Sequence, residues 1–370
     1  MAALSIAVGM PPRPPVALLH GAVDAARDSG VSALWCIDHF TSFVPNSIWD
    51  IEFSPFAAPD TSPDEIFEYQ TMLGYAAAIA PDLKLGVGVT EAIRRHPLII
   101  AQTFLTLSHL TSSTVMIGIG AGERENTEPF GYPFERPVSR LEEALQVLRM
   151  ALDSRGPFDF DGEFYQLDRA ILDLAPGPGG MPEIWLAAHG PRTLRLTGTY
   201  GDGWLPTHPM SVEEYAATVK VIGDASVAAG RDRDAVTPGQ QMMVATAPTR
   251  DEARALVDTK PVRLMALLRP ASMWEHHGVS HPLGDDFAGV VDFIPQHYDR
   301  PTMDKALAAV PDSLLETAIE WGTADDIAER IESLTAVGLR HVMLVVVPGL
   351  AHPPAEADHS IFSIAKRLNA

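Results

Sequence analysis

Residues 323–347 read Thr323-Ala-Asp-Asp-Ile-Ala-Glu-Arg-Ile-Glu-Ser-Leu-Thr-Ala-Val-Gly338-Leu-Arg-His-Val-Met-Leu-Val-Val-Val347. Thr323 to Asp326 has the form of a capping box, with Asp in place of the usual Glu, and Ile327, Ile331, Leu334 and Val337 then recur at helical spacing. Gly338 supplies the stop. The run Val342–Val347 follows without polar alternation, as a strand buried on both faces requires. A helix feeding a doubly buried strand is the repeating unit of a parallel sheet covered by helices.

The same alternation extends back through the chain. Strands are expected at Leu4–Val8, Ala33–Ile37, Leu85–Val89, Val115–Ile119, Ile184–Ala188, Gly203–Pro206 and Gln241–Ala247. Helical patterns lie between them at Pro15–Asp28, Glu65–Ala80, Pro97–Leu110, Val138–Leu152, after Pro191, and at Val212–Ala229. About eight strands favour a closed (β/α)8 TIM barrel over an open doubly wound sheet. Three stretches interrupt the pattern: residues 41–64, residues 156–182 with a hairpin turning at Asp161-Gly162, and the His-, Pro- and aromatic-rich residues 270–300. They are expected as lids or pocket walls inserted into one domain spanning residues 1–370.

Composition narrows the function. The 370 residues carry 27 basic and 48 acidic side chains, a net charge of −21. That balance disfavours nucleic acid and anionic membrane surfaces, both of which select for clustered Lys and Arg. No apolar stretch approaches the ~18 residues of a membrane span. The first residues lack a basic segment followed by a long apolar one, so the chain is expected to be cytoplasmic. Cys36, the single cysteine, excludes an internal disulfide framework and a Cys-built zinc site; within Leu34-Trp-Cys-Ile37 it reads as a small buried hydrophobe.

Barrel enzymes carry their chemistry at the C-terminal ends of strands. Those ends hold Asp38-His39-Phe40, Gly88-Val89-Thr90-Glu91, Gly118-Ile-Gly-Ala-Gly122-Glu123-Arg-Glu-Asn126, Ala187-Ala188-His189-Gly190-Pro191 and Thr207-His208. His39 is the acid–base candidate, since an imidazole exchanges protons near neutral pH. Asp38 reads as its orienting partner or as a helix cap. Glu123 follows a glycine turn whose amides suit anionic or carbonyl ligand atoms, and is equally compatible with an ordinary helix-start carboxylate. The glycine spacing at Gly118–Gly122 is not the dinucleotide fingerprint. His276-His277-x-x-x-His281 has metal-ligand spacing, but Gly278 and Pro282 argue against a helix there, and no metal is expected.

Together these strings resemble the bacterial luciferase-like superfamily. The resemblance rests on Trp35–Phe40, Leu85–Thr90, Arg95-His-Pro97 with Ala101-Gln102, Gly118–Glu123, Ala187-Ala188-x-Gly190-Pro191 and Gly201-Asp-Gly-Trp204, in family order over nearly the whole chain. Glu123 and the Asp-His pair resemble the branch that uses the deazaflavin coenzyme F420. A further similarity, at Gly122–Glu125, Glu128-Pro129, Pro182–Trp185, His277–Pro282, Asp286–Gly289 and Ile294–Gln296, is to the mycobacterial phthiodiolone ketoreductase group.

The resemblance implies an oxidoreductase passing a hydride between coenzyme F420 and a ketone or secondary alcohol, in a homodimer. It implies a non-proline cis peptide at Gly88-Val89 behind the cofactor ring. It implies cofactor contacts from Asp38, Thr90, Gly122, Asn126, Ala187, Ala188, His189, Gly190 and Thr207, with His39 and Glu123 catalytic. Phe43, Trp274 and His281 are expected on the substrate side. Phe43 stands where the branch's sugar-phosphate dehydrogenase has Trp, and Met210 where that enzyme has a phosphate-binding cation, which points to a hydrophobic carbonyl substrate. Arg94 and Arg95 are candidates for the cofactor's polyanionic tail. The alternatives are an FMN-dependent monooxygenase of the same superfamily and a non-catalytic binding barrel.

Overall fold

A computed structural model describes residues 4–347 and 361–370. Eight strands form its centre: Ser5–Gly9 (β1), Ala33–Cys36 (β2), Lys84–Glu91 (β3), Val115–Gly120 (β4), Glu183–Leu186 (β5), Gly203–Trp204 (β6), Thr237–Thr246 (β7) and His341–Val346 (β8). Every neighbouring pair is parallel, and β6 pairs with β7, which pairs with β8, which pairs with β1. The ring is closed. The expected (β/α)8 TIM barrel is therefore the fold.

Local signals in the sequence behave as their chemistry requires. The Thr323 hydroxyl accepts the Asp326 N–H while the Asp326 carboxylate accepts the Thr323 N–H, so Asp completes the capping box, and Gly338 adopts a positive φ of 123°. Proline opens the helices Pro97–Leu110, Pro137–Asp153 and Pro191–Tyr200, where its missing N–H costs nothing. The hairpin pairs Phe158–Asp161 with Gln166–Ala170.

Bulky side chains plug the barrel interior. Trp35 and Trp185 meet edge to face at 5.7 Å, and the Trp35 indole N–H donates to Nε2 of the buried His341 at 3.0 Å. Glycines make room for the rings: a Cβ on Gly203 would lie 2.0 Å from Trp185 Cδ2, and one on Gly86 2.6 Å from Trp35 Cε3. Cys36 is buried on the other face of β2, in the core between barrel and helices, and burial pushes its thiol up to about 12, as an inert hydrophobe requires.

The 270–300 excursion is part of a longer insertion between β7 and β8. That insertion builds helices at Arg250–Val257, Lys260–Leu267, Ala271–His276, Arg300–Ala308 and Asp312–Ala318, and these bury a second core that also takes Val44, Ile48 and Phe53 from the 41–64 excursion. Their apolar periods are too short to stand out from loop composition. Among the described residues, no helix is long and apolar enough to cross a membrane.

Candidate functional site

The ends of β2, β3 and β4 deliver the reactive groups to one place. Asn126, in the turn after β4, accepts the Phe40 N–H on Oδ1 at 2.7 Å, which fixes its amide orientation. Its Nδ2 therefore donates, to His39 Nδ1 at 2.8 Å and to Glu125 Oε1 at 3.1 Å. A neutral His39 must then carry its proton on Nε2. That nitrogen faces the partly exposed Glu123, whose carboxylate lies 3.8 Å away.

Glu125 was not singled out by sequence. Its side chain is wholly buried, with Oε1 3.7 Å from His39 Nδ1 and Oε2 without any partner. Burial, and then the negative charge of Glu123, hold its carboxyl well above the usual carboxylate range. His39, Glu123 and Glu125 bring ligand-type atoms within 4.8 Å of one another. The two carboxylates, however, address opposite nitrogens of the ring, and Nδ1 already accepts from Asn126. That arrangement favours proton handling over metal binding.

Beneath His39 lies a dense ion-pair network. Asp38 is buried and meets Arg94 at 3.1 Å, Arg95 at 2.9 Å and the Thr90 hydroxyl at 2.6 Å. Arg94 also binds Glu91 and lies 4.6 Å from the Phe40 ring centroid, while Arg95 reaches Glu68. Both arginines are thus committed to protein carboxylates, and the expectation that they serve the cofactor's tail is corrected. Asp38 and Thr90 likewise spend their side chains within this network.

The glycine-rich strand ends form a cradle. The Gly88-Val89 peptide is cis, at the position the resemblance implied, and the β3–β4 register shifts between Val87 and Thr90. A Cβ on Gly118 would lie 2.0 Å from the Val87 carbonyl oxygen, so only glycine admits that backbone. Gly122 takes a positive φ of 89° beside Glu91. Further round the rim, Gly190 caps the helix Pro191–Tyr200, and a Cβ there would meet only Thr193 Oγ1 at 3.9 Å. Open amides at a helix N-terminus suit a phosphate-bearing group. Ala187 and the buried Ala188 precede it, and His189 bonds Thr207 and His208, each at 3.2 Å. His189 is itself exposed to solvent.

Two substrate-side expectations are corrected. Trp274 is completely buried in the second core, and His281 is buried against it at 4.7 Å, stacked on Phe287 at 4.4 Å and bonded to the Leu267 carbonyl at 2.8 Å. These side chains stiffen the wall instead of lining an open surface. Phe43 is half-buried against the same core. The half-exposed aromatics at the rim are Phe40 and Phe130, tilted together at 4.7 Å, which sequence reading did not assign.

A closed parallel barrel with acid–base groups, a glycine cradle and an open helix N-terminus on one rim defines an enzyme-type (β/α)8 site. The chain belongs to the luciferase-like monooxygenase family, whose model matches residues 10–341. It is 38% identical over 335 residues to the phthiodiolone/phenolphthiodiolone dimycocerosates ketoreductase of Mycobacterium tuberculosis, covering 90% of this chain and 88% of that protein. Among solved structures it superposes on an F420-dependent secondary alcohol dehydrogenase in complex with an F420-acetone adduct, with a TM-score of 0.73, 20% identity and 99% and 98% of the two chains covered. It also superposes on the oxygenating constituent of 3,6-diketocamphane monooxygenase from Pseudomonas putida in complex with FMN, with a TM-score of 0.65, 15% identity and 99% and 98% covered.

Proposed function

We propose that this protein is an oxidoreductase that uses coenzyme F420 to interconvert a ketone and a secondary alcohol on a hydrophobic substrate. The observation that carries the reading is the fixed Nε2–H of His39 at the rim, beside a cradle that only glycine backbone admits. The ketoreductase named above, alike over most of both chains, supports the same substrate class.

The cofactor site comprises Gly88, Val89, Gly122, Asn126, Ala187, Ala188, Gly190 and Thr207, with Asp38 and Thr90 bracing its floor and His189 its far wall. When bound, the reduced deazaflavin supplies a hydride to the carbonyl carbon. His39 Nε2–H is placed to hydrogen-bond the substrate oxygen and to give it a proton. Glu123 shares that edge of the imidazole and is catalytic in this reading. The Gly190 amide and the helix behind it hold the polyanionic tail by local field, despite the net charge of −21. Phe40 and Phe130 offer apolar surface to the substrate, and Phe43 stiffens the approach.

The FMN-bound relative makes an FMN monooxygenase the second reading. Parallel fluorescence titrations decide between them. Coenzyme F420 should bind at least about tenfold more tightly than FMN, a difference of roughly 1.4 kcal/mol. Equal or tighter FMN binding, with oxygen consumed during turnover, overturns the deazaflavin assignment.

A further inference from the structure

We propose that Glu125 is a positioning residue for His39: it accepts a hydrogen bond from one Nδ2–H of Asn126 and thereby aims the other at His39 Nδ1, which keeps the imidazole proton on Nε2. The proposal rests on the reading of His39 as the acid–base group; the positioning itself rests on the structure alone.

Both Nδ2 hydrogens of Asn126 lie in the plane of a rigid amide, so a bond that fixes one directs the other. One goes to Glu125 Oε1 at 3.1 Å and the other to His39 Nδ1 at 2.8 Å, while Oδ1 takes the Phe40 N–H at 2.7 Å. The Phe40 N–H settles which end of the amide carries oxygen. Glu125 settles how the nitrogen end is turned. Asn126 is buried, so without Glu125 its second hydrogen would be unpaired and out of reach of water, and the amide would be drawn off its line to the imidazole to satisfy it.

Glu125 acts at one remove. Its Oε1 stands 3.7 Å from His39 Nδ1, beyond hydrogen-bond reach, so Asn126 is what connects the two. Glu125 and Asn126 are neighbours in the short 3-10 turn Arg124–Asn126, which the Thr127 hydroxyl ties down through the Glu123 and Arg124 carbonyls at 3.0 and 3.2 Å. The Glu125 side chain is wholly buried and Oε2 has no partner, a setting that suits a neutral acid and not a naked charge. The titratable and charged groups facing it are Glu123 from its own turn, His39 from the end of β2 and Arg94 from the turn after β3; burial and Glu123 outweigh the opposing influence of Arg94. Neutrality serves the positioning. An uncharged Oε1 accepts from Asn126 without drawing a second proton onto His39 Nδ1.

Nitrogen NMR of the cofactor-free protein, labelled in histidine and asparagine, reads the positioning without turnover. The wild type should show His39 as the Nε2–H tautomer and both Asn126 Nδ2 hydrogens slow to exchange with water; the Nδ1–H tautomer, or one Nδ2 hydrogen in free exchange, overturns the proposal. Glu125→Met keeps the bulk and removes the oxygen. It should mix the two His39 tautomers and lower kcat for reduction of a hydrophobic ketone at least about tenfold, with KM changed less than about threefold. Glu125→Gln restores an oxygen for Asn126 but carries no acidic proton, so it should recover the Nε2–H tautomer and a rate within about threefold of wild type. Wild-type tautomer and rate in Glu125→Met overturn the proposal, as does a Glu125→Gln protein impaired as badly as Glu125→Met. Should Glu125→Met not fold, the wild-type exchange and the Glu125→Gln tautomer decide. If the wild type reduces no ketone with coenzyme F420, the reading of the reaction falls, and the tautomers still decide whether Glu125 positions the imidazole.

Discussion

Asn126 Nδ2 lies 2.8 Å from His39 Nδ1 while its Oδ1 takes the Phe40 N–H at 2.7 Å, so one amide sets which imidazole nitrogen carries the proton. The same side chain ties the end of β2 to the turn after β4. Positioning and proton placement are therefore one interaction here, as in sites where an orienting partner fixes a histidine's tautomer.

His39→Ala removes the donor and leaves the cradle. Coenzyme F420 affinity should stay within about threefold, and kcat should fall by the ~10²–10⁴ typical of a lost acid–base group. Nitrogen NMR of labelled histidine should show the Nε2–H tautomer in the wild type. Near-wild-type turnover in His39→Ala would move the chemistry to Glu123 or His189.

Arg94→Met tests the buried network. Its guanidinium sits between Asp38 and Glu91 with a side chain only 2% exposed. Removing it leaves Glu91 only the backbone N–H groups of residues 93 and 94 and half-strands Asp38, and breaking such a pair costs about 3–5 kcal/mol. Urea unfolding should report that loss. A change below about 1 kcal/mol would show that Arg95 alone satisfies Asp38.

Much of this was legible in the sequence, and the reason is periodicity. Most barrel strands are short runs without polar alternation, followed or preceded by a 3.6-residue apolar stripe, and both patterns survive without knowledge of partners. The site was legible where a residue type carries its own chemistry, as His39 does, or where a glycine marks close backbone approach, as Gly118 does. It was not legible where burial decides. Glu125 looks like any turn carboxylate until the structure shows it sealed in, and Trp274 and His281 look like pocket wall until they prove to be core. Arg94 and Arg95 read as free cations because Asp38 and Glu68 come to them from separate segments, although Glu91 stands only three residues before Arg94.

Gly118→Ala should disturb the cradle without touching an ionisable group. Its new Cβ would sit 2.0 Å from the Val87 carbonyl oxygen, and a backbone oxygen cannot swing aside as a side chain can. Overpacking of this kind costs about 1–3 kcal/mol. Stability should fall by that amount in thermal unfolding, and cofactor affinity should fall with it as the β3 end shifts. Unchanged affinity would show that the cradle tolerates displacement and that the cofactor seat lies elsewhere on the rim.

His341 should make the fold acid-sensitive. Trp35 donates its indole N–H to Nε2, so Nδ1 carries the hydrogen and reaches the Ser5 hydroxyl at 3.0 Å, leaving no room for a second proton. Burial pushes this imidazole down to about 3. The unfolded chain takes the proton near the ordinary histidine value of about 6.5 while the folded chain refuses it, so stability is full above that value and drains as pH falls towards 3. At pH 5 this one group removes about 2 kcal/mol. His208, half-buried and pushed down chiefly by burial, adds in the same direction. His341→Gln keeps an acceptor for Trp35 but cannot titrate. It should be less stable than wild type at pH 7, yet lose about 2 kcal/mol less between pH 7 and pH 5 in urea unfolding. Parallel losses in the two proteins would mean that His341 already carries its proton in the folded barrel.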